Sequence, residues 1–477
     1  MVFTFIIFKK KWKNSATRVH HGGGNEATKT TLLLQLPPGP RSGAPSLPPG
    51  PRSLPIVGYL PFLSRDLHKQ FRNMSHIYGP IFKFHLGSKL HVVINTPDLV
   101  KAVVREQDDI FANRNPSIAA LAISYGGVDV VWSDNSSHSQ IAFSTEASVL
   151  TSMVWENTSD PNAKGSHFGA ELQRISSNIV EILGQPNLSD IFPSLAWLDL
   201  QGILRKSKRQ LHQLDRIFTS IIDDRIISNS KKPKDAVGHE GKKDLLQILL
   251  ELEDQKDATS ISITQIKALL LDIMVAGTET TTTLIEWTMA EIMQNNYIMK
   301  RLQEELAEIV GLDNIVEESH LPKLKYLDAT IKETFRLHPV VPLILPRSPS
   351  QDCIVGGYTI PKGCTVFLNV WSIHRDPQYW DNPLEFNPER FLTNKYDFKG
   401  SNLNFIPFGS GRRLCPGVPL AEKMQMYILA SLLHSFDWSL PEGEKHDLSE
   451  NFGITLKKRE PLIVVPSQRL PNENLYM

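Results

Sequence analysis

The stretch PFGSGRRLCPG, residues Pro407–Gly417, places a single cysteine among glycines and two arginines. Nearby positive charge and backbone N–H groups favour the thiolate form that binds a metal, and this loop would supply both to Cys415. Gly411 lets the backbone approach a flat cofactor closely, and Arg413 can reach an anionic group on its edge. A lone cysteine usually indicates a structural residue in a surface loop. The spacing Phe408-x-x-Gly411-x-Arg413-x-Cys415 fixes several positions at once and favours the cofactor loop.

Composition argues against several classes of function. The chain has 477 residues, with 51 Lys+Arg against 51 Asp+Glu and a net charge of zero, so no overall positive field favours nucleic-acid binding. Its 3 cysteines, Cys353, Cys364 and Cys415, form no CxxC pair, so neither a zinc site nor a disulfide framework is expected. Such sparse use of cysteine is typical of a reducing compartment.

The first part of the chain predicts an atypical N-terminal segment, a truncated anchor, followed by a stiff hinge. Residues 1–35 carry an apolar run, Val2–Phe8, followed by lysines. A helix of this length covers only about 10 Å, far below the roughly 20 residues that span a bilayer, so contact with a membrane surface is the most it could make. A transit peptide is the alternative. The sequence LPPGPR then occurs at Leu36–Arg41 and again at Leu47–Arg52, which predicts an extended hinge over 36–52.

One large domain is predicted over 53–467, followed by a tail at 468–477. Phe82–Leu86 and His91–Ile94 alternate like two strands of a hairpin. Helical periodicity dominates from about residue 167, for example over Arg205–Ile227, before further short strands near the C-terminus. The pattern indicates a mainly α fold with small β-sheets.

A long central helix is predicted from Ser262 to Met293. Ser262 and Gln265 form a capping box, and apolar residues recur at helical spacing without a proline. About 30 residues of helix cover roughly 45 Å, enough to cross a whole domain.

The middle of this helix reads AGTETTTT at 276–283, an unusual choice for a helix interior. Gly277 costs about 1 kcal/mol there. The Thr280 hydroxyl can bond the carbonyl of Ala276 and leave room for a small molecule. The alternative is a face of small residues that packs against another helix.

Two further motifs carry charged residues at short spacing. Glu333 and Arg336 lie one helical turn apart, where their charges can meet. Such pairs are common on solvated helices and are individually worth only a few tenths of a kcal/mol. The sequence PERF at Pro388–Phe391 adds a second arginine, Arg390.

The order of these motifs, from hinge to AGTET, ETFR, PERF and FGSGRRLCPG, resembles the plant microsomal-type cytochrome P-450 enzymes. The resemblance covers nearly the whole chain from Leu36 onward. The sequences of several segments are similar to those of the branch that oxidises terpenoids and phenolics. It implies the cytochrome P-450 fold with a single haem domain, and haem b held by the thiolate of Cys415 as axial ligand of the iron.

The resemblance also implies roles for residues along the chain. Thr280 and Glu279 would be the catalytic alcohol and acid that handle protons during oxygen activation, and Glu333, Arg336 and Arg390 would form a scaffold behind the haem. The other haem contacts would be Phe408, Gly411, Arg413, Arg347, Ala276 and Gly277, the two arginines binding propionates. The substrate would be lined by Leu343, Ile344, Leu345, Phe452 and Ile454. These lining residues are apolar, so an apolar substrate is expected.

Partners follow from the same resemblance. Electrons would come from NADPH through a flavoprotein reductase, and O2 and a small apolar substrate would react at the cytosolic face of the endoplasmic reticulum membrane. A haem-thiolate isomerase would need no reductase. The hydroxyl of Thr280 argues against it, since several such branches lack that group.

One departure favours a second hypothesis. Relatives carry a Trp-x-x-x-Arg helix soon after the segment that here ends at Trp132-Ser133, and its arginine binds a haem propionate. No arginine occurs between Arg114 and Arg174, and Gln140–Trp155 resembles a later helix. A helix is therefore expected to be missing after Trp132. The alternative to an active monooxygenase is an inactive, haem-deficient remnant or an interaction protein.

Overall fold

The computed structural model describes residues 45–135, 169–230, 245–254, 260–393, 395–443 and 446–476. Within these ranges the molecule is mainly helical, with small sheets. Besides short single-turn helices, the helices are α1 Leu67–Tyr78, α2 Pro97–Lys101, α3 Ile118–Ile123, α4 Gly169–Gly184, α5 Leu188–Ile191, α6 Ile203–Ser230, α7 Leu245–Asp254, α8 Ile263–Gln294, α9 Asn296–Ile309, α10 Lys325–Leu337, α11 Val370–Ile373 and α12 Val418–Ser435. The strands are β1 Ile81–Leu86, β2 Lys89–Ile94, β3 Cys353–Val355, β4 Tyr358–Ile360, β5 Thr365–Leu368, β6 Phe436–Ser439, β7 Glu450–Phe452, β8 Leu456–Lys458 and β9 Val465–Gln468.

Several sequence predictions fall outside the described residues. These are the N-terminal segment 1–35, the first hinge copy and the helix over Gln140–Trp155. The boundaries 53–467 and 468–477 stay predictions. The predicted helix Arg205–Ile227 is present and runs from Ile203 to Ser230.

The predicted hairpin is confirmed and forms the sheet that carries Arg347. β1 pairs antiparallel with β2, and β2 pairs parallel with β5. The backbone of Arg347 extends this sheet, since its N–H and carbonyl bond Val366 at 2.9 and 2.8 Å. A residue that follows an apolar loop is thereby fixed at a sheet edge.

The central helix is also confirmed. The Ser262 hydroxyl accepts the N–H of Gln265 at 3.3 Å, and the Gln265 side chain accepts the N–H of Ser262 at 2.8 Å. From there α8 runs unbroken through the Gly277 region. Among the described residues, α8 is the one helix long and apolar enough to cross a membrane by length and composition. It packs instead as the core helix of the domain, with Trp287 fully buried and bonded to the Leu456 carbonyl.

Aromatic rings pack against the cysteine loop. Phe335 of α10 lies 4.9 Å from the ring of Phe408 and 5.2 Å from that of Phe398. The same cluster includes buried side chains of α9 and α12. Each buried Phe contributes on the order of 2–3 kcal/mol, so the loop rests on rigid packing.

Candidate haem site

The cysteine loop is shaped by glycines at left-handed backbone angles. Gly409 and Gly411 have φ of 80° and 74°. A Cβ on Gly411 would lie 2.1 Å from the carbonyl oxygen of Val104, so only glycine is accommodated there. The N–H of Cys415 closes the loop by donating to the Phe408 carbonyl at 3.1 Å. Cys415 is half-buried, whereas Cys353 and Cys364 lie in the core.

Asp108 ties this loop to the sheet, a role that the sequence did not indicate. Both of its carboxylate oxygens accept the N–H of Arg412, at 3.1 and 2.9 Å. The Nη1 of Arg347 lies 3.5 Å from the same carboxylate. Since Asp108 belongs to a plain polar stretch, no local signal in the sequence distinguishes it.

Three arginines from distant parts of the chain meet beside the loop, and we call Arg114, Arg347 and Arg413 the arginine cluster. Arg413 donates to the carbonyl of Ala112 at 2.6 Å and to that of Val130 at 3.0 Å. Arg114 donates to the carbonyls of Leu345 at 2.7 Å and Val131 at 3.1 Å. The sequence predicted Arg347 and Arg413 as cofactor contacts but missed Arg114.

Within the arginine cluster, Arg347 keeps hydrogen-bond donors that the described part of the protein does not use. Arg347 is 1% exposed, and its Nε and Nη1 lack any hydrogen-bond partner among the described residues. Burial lowers the pKa of Arg347 to about 10, which Asp108 opposes and Arg413 enhances. Burial and the charges of Arg413 and Arg347 also place the pKa of Arg114 well below its ordinary value.

Such a cluster is costly unless an anion joins it, because buried like charges destabilise each other. An anionic cofactor edge beside the cysteine loop would accept the unused donors. The haem propionates fit this requirement, so the residues present fit the group. Cys415 would hold the iron, and Arg114, Arg347 and Arg413 would hold the propionates.

The predicted scaffold residues lie together in the fold. Glu333 and Arg336 are fully buried, with paired bonds of 2.6 and 2.7 Å between carboxylate and guanidinium. Arg390 Nε lies 3.4 Å from the same carboxylate. The remaining Arg336 donors bond the carbonyls of His374, Pro383 and Glu385.

In the middle of α8, the predicted bond is present. The hydroxyl of Thr280 donates to the Ala276 carbonyl at 2.5 Å, and the backbone remains helical. Ala276 is exposed, and a Cβ added to Gly277 would meet no atom within 4 Å outside its own helix. This part of α8 therefore borders open space.

Glu279 faces different neighbours. One carboxylate oxygen forms an ion pair with Lys457 of β8, and the other accepts the hydroxyl of Ser177 on α4 at 3.1 Å. The predicted acid is thus adjacent to Thr280 in sequence but engaged with α4 and β8. Sequence reasoning did not identify Lys457 or Ser177.

The predicted substrate-lining residues occupy more than one environment. Leu343 belongs to a buried hydrophobic cluster against which Phe452 packs, and Phe452 stacks on His68 at 5.0 Å between ring centres. Ile344 has φ of 50°, a strained value for a β-branched residue, and its Cδ1 would lie 3.7 Å from a Cβ on Gly409. Ile344 therefore lies at the cysteine loop.

The remaining two predicted lining residues, Leu345 and Ile454, make contacts through their backbone atoms. Leu345 offers its carbonyl to Arg114, and the backbone N of Ile454 would lie 3.0 Å from a Cβ on Gly184, at the end of α4. The structure does not assemble all five residues into one wall.

Comparison with known proteins tests this assignment. The sequence profile described as Cytochrome P450 matches residues 48–151 and 162–465. The chain belongs to the cytochrome P450 family. Such enzymes hold haem iron through a cysteine thiolate, which agrees with the chemistry of the Cys415 loop.

Relatives extend over most of the chain. Cytochrome P450 76C1 from Arabidopsis thaliana is 36% identical, covering 91% of this chain and 94% of that protein. Flavonoid 3'-monooxygenase CYP75B4 from Oryza sativa subsp. japonica is 35% identical, covering 94% and 93%. A zebra fish cytochrome P450 solved with progesterone has a TM-score of 0.68 at 25% identity, covering 84% of this chain and 99% of that one. The chain has the cytochrome P450 fold and is an oxidoreductase of the monooxygenase class.

The alignment also bears on the missing helix. With cytochrome P450 76C1 it runs over 487 positions but takes in 91% of the 477 residues, about 434, so about 53 positions face gaps in this chain. The missing helix after Trp132 stays a prediction. The predicted place, after Trp132, leads into residues 136–168, outside the described residues.

Proposed function

We propose that this cytochrome P450 hydroxylates a small apolar substrate, phenolic or terpenoid, with O2 and with NADPH-derived electrons from a flavoprotein reductase. The observation that carries the proposal is the arginine cluster with unused donors beside a glycine-shaped cysteine loop. Relatives named as flavonoid monooxygenases and hydroxylases support a phenolic substrate. The apolar Ile344 at the loop supports an apolar one.

Each protein residue has a defined task in this proposal. Haem b, when bound, supplies the oxygen activation and one-electron chemistry. Cys415 holds the iron, and the rings of Phe408 and Phe335 keep its loop in place. The hydroxyl of Thr280 borders the open space over α8 and holds a proton at Oγ1, while Glu279 exchanges protons from its position between α4 and β8.

Two exposed apolar segments support contact with the surface of the endoplasmic reticulum membrane. We call them the apolar rim: the exposed side chains of Leu54, Ile56, Phe62, Leu195, Trp197 and Leu200. The turn between β1 and β2 connects them, since the Gly87 N–H donates to the Val57 carbonyl at 3.2 Å and a Cβ on Gly87 would lie 2.5 Å from the Ile191 carbonyl.

Charge beside the apolar rim favours a lipid surface as its partner. Trp197 is 80% exposed, and tryptophan prefers the membrane–water interface. The first turns of α6 follow directly and expose Arg205, Lys206, Lys208 and Arg209. Basic residues next to apolar ones bind anionic lipid surfaces. The rim therefore supports the cytosolic face of the membrane as the location.

Vesicle flotation tests this location. With vesicles of phosphatidylcholine and phosphatidylserine, the full chain should float, and Trp197→Ala with Leu200→Ala should reduce the bound fraction several-fold. Tyr297→Ala is the matched control, because Tyr297 is 71% exposed on α9, outside the rim. Equal binding by all three proteins would overturn the assignment of the rim.

A haem-deficient protein is the second candidate. It is favoured by the absence of any arginine between Arg114 and Arg174, together with Arg413 donating to the backbone carbonyls of Val130 and Ser133. In this alternative the arginine cluster makes too few contacts with the propionates to retain haem.

The carbon monoxide difference spectrum of the reduced full chain separates the two candidates. The red-shifted Soret band of thiolate ligation is expected for the wild type and for Cys364→Ala, which removes a buried thiol elsewhere. Cys415→Ala should abolish the band. Absence of the band in the wild type would favour the haem-deficient protein, and its persistence in Cys415→Ala would refute the ligand assignment.

Coupling between NADPH use and product tests the role of Thr280. Thr280→Ala should release more peroxide per NADPH consumed. Thr282→Ala is the matched control, since its hydroxyl makes the same type of bond, to the Thr278 carbonyl at 3.0 Å. Equal coupling in both variants would contradict the proton-handling role.

A further inference from the structure

Two buried carboxyl groups meet between the arginine cluster and α8. Asp129 is 2% exposed, in the segment after α3, and Asp272 is 6% exposed, on α8. The side chain of Asp272 accepts the N–H of Val130 at 2.9 Å, and that of Asp129 accepts the N–H of Trp132 at 3.3 Å. Because Val130 directly follows Asp129, its bond to Asp272 brings the two carboxyl groups next to each other, and the two side chains interact.

A direct bond between two carboxyl groups requires a proton. Two ionised carboxylates offer only acceptors and repel one another. Oδ2 of Asp129 is buried and accepts no bond from any donor among the described residues. One proton held between the two groups would satisfy this oxygen and remove one of the two buried charges.

The same segment contacts the arginine cluster on its other side. We call Asp129–Ser133 the linking segment. Arg413 donates to the carbonyls of Val130 and Ser133, and Arg114 donates to that of Val131. Contact with α8 through the acid pair and contact with the cluster are therefore made by the same few residues.

We propose that Asp129 and Asp272 share one proton, and that this proton keeps the linking segment against α8 and limits the negative charge beside the arginine cluster. Retention of an anionic cofactor edge then becomes dependent on pH. This inference rests on the proposed haem-binding function. It adds a pair of residues whose protonation regulates that site.

Charges around the pair support this assignment. Burial raises the pKa of Asp129 to about 7, although bonds from Trp132 and Asp272 and the charge of Arg413 act in the opposite direction. The charged groups that face Asp129 are Asp272 on α8, Arg413 on the cysteine loop and Arg114. Asp134 interacts with Arg413 as well.

The direction of the effect follows from these charges. Below about pH 7 the pair carries one negative charge and a bridging hydrogen bond. Above it, the second carboxylate competes with a bound propionate for Arg413 and Arg114, and mutual repulsion weakens the contact with α8. Haem should therefore be lost faster as the pH rises.

Transfer of haem from the holoenzyme to an excess of apomyoglobin measures this loss. Between about pH 6 and about pH 8.5 the wild-type rate should rise roughly tenfold, the order expected for one added charge at moderate effective dielectric constant. Asp129→Asn should show little pH dependence, because the amide donates to Asp272 without titrating. The proposal fails if Asp129→Asn keeps the wild-type pH dependence.

Glu305→Gln provides the matched control. Glu305 is another half-buried acid whose pKa is raised by burial, and its carboxylate accepts the N–H groups of Tyr326 and Leu327 near the start of α10. This variant should keep the pH dependence of haem loss. If it flattens that dependence as Asp129→Asn does, general destabilisation explains the result and the proposal is overturned.

Unfolding of the haem-free full chain tests the shared proton without the cofactor. A carboxyl whose folded pKa is raised contributes stability below its ordinary value of 3.8, and this stability is lost as the pH rises through about 7. The urea midpoint of the wild type should fall over this range relative to that of Asp129→Asn. Parallel curves would refute the shared proton.

The two measurements also separate this inference from the proposed function. If no variant binds haem at any pH, the proposed function fails, and the regulatory part of the inference fails with it. The shared proton would still be decided by the urea midpoints. If haem binds with the red-shifted Soret band but its loss is independent of pH in the wild type, the function stands and the inference is overturned.

Discussion

The guanidinium groups of Arg336 and Arg347 are both buried, but their hydrogen bonds differ. All five donors of Arg336 are used, two by Glu333 and three by backbone carbonyls. The guanidinium of Arg347 makes one hydrogen bond, to the Ser410 carbonyl at 2.6 Å, and its Nε and Nη1 have no hydrogen-bond partner among the described residues. Both side chains are buried, so solvent does not explain the difference.

This difference distinguishes a scaffold from a binding site. A buried charge that the protein itself completes holds elements together, whereas one with unused donors is arranged for a group from outside. A third buried group of charges surrounds Glu450. Its carboxylate lies 2.6 Å from Lys69, 3.4 Å from His68 and 3.5 Å from Arg375.

The largest effect on stability should come from breaking the ion pair between Glu333 and Arg336. Glu333→Leu leaves Arg336 buried without its carboxylate and should lower the free energy of unfolding by about 3–5 kcal/mol. Adding Arg336→Met to the Glu333→Leu variant should lower the free energy of unfolding by less than a further ~3–5 kcal/mol, because no unpaired charge then remains. Urea unfolding of the two variants checks this, and wild-type stability of Glu333→Leu would contradict it.

Removing the charge of Arg347 should have the opposite effect on the stability of the haem-free protein. Arg347→Met removes an under-bonded cation and should raise the free energy of unfolding of the haem-free chain by about 1–3 kcal/mol. The same variant should lose haem faster, since one propionate contact is gone. Arg412→Met, at a half-exposed neighbouring position, is the control and should change neither quantity strongly. A haem-free Arg347→Met that is less stable than the wild type would remove the distinction between the two groups.

The pH dependence of stability examines the Glu450 group. Burial by itself would raise the pKa of Glu450, but His68, Arg375 and Lys69 outweigh it and hold the pKa below the ordinary 4.5. The group therefore contributes stability above about pH 4.5 that is lost as the pH falls through its folded pKa. Glu450→Gln should be less stable by about 2 kcal/mol at pH 7, and its stability should converge on that of the wild type in acid. Urea midpoints between about pH 3 and about pH 7 test this, and a constant difference would count against it.

The smallest effect is expected for the ion pair at Glu279. The Lys457 side chain is 36% exposed, so Lys457→Met should cost at most about 1 kcal/mol. A double-mutant cycle with Glu279→Gln measures the interaction directly. Strict additivity of the two substitutions would show that the pair contributes no stability.

Local patterns in the sequence were sufficient where neighbours along the chain determine the structure. The capping box at Ser262 predicts the start of α8, and alternation predicts the hairpin of β1 and β2. The Thr280 bond to Ala276 likewise joins residues one turn apart. The spacing within the cysteine loop predicts both its glycine backbone and its similarity to the cytochrome P450 family.

Contacts between distant parts of the chain were not predictable in this way. Nothing around Arg114 indicates that it lies with Arg347 and Arg413. Nothing near Glu279 indicates Lys457, which follows it by well over a hundred residues. Such partners are selected by how helices and sheets pack, and one sequence contains no periodic signal for that.

The sequence by itself determined the family, the axial cysteine as a prediction and the two motifs of the scaffold, because each depends on residue types at short, fixed spacing. Only the tertiary structure decided which buried charges have a partner for each of their hydrogen-bonding groups. It gave Arg336 a partner for every donor, left two nitrogens of Arg347 without a hydrogen-bond partner in the described part of the chain, and brought Asp129 next to Asp272. The physical reason is that the energy of a buried charge depends on the groups packed around it, and those groups come from separate parts of the chain.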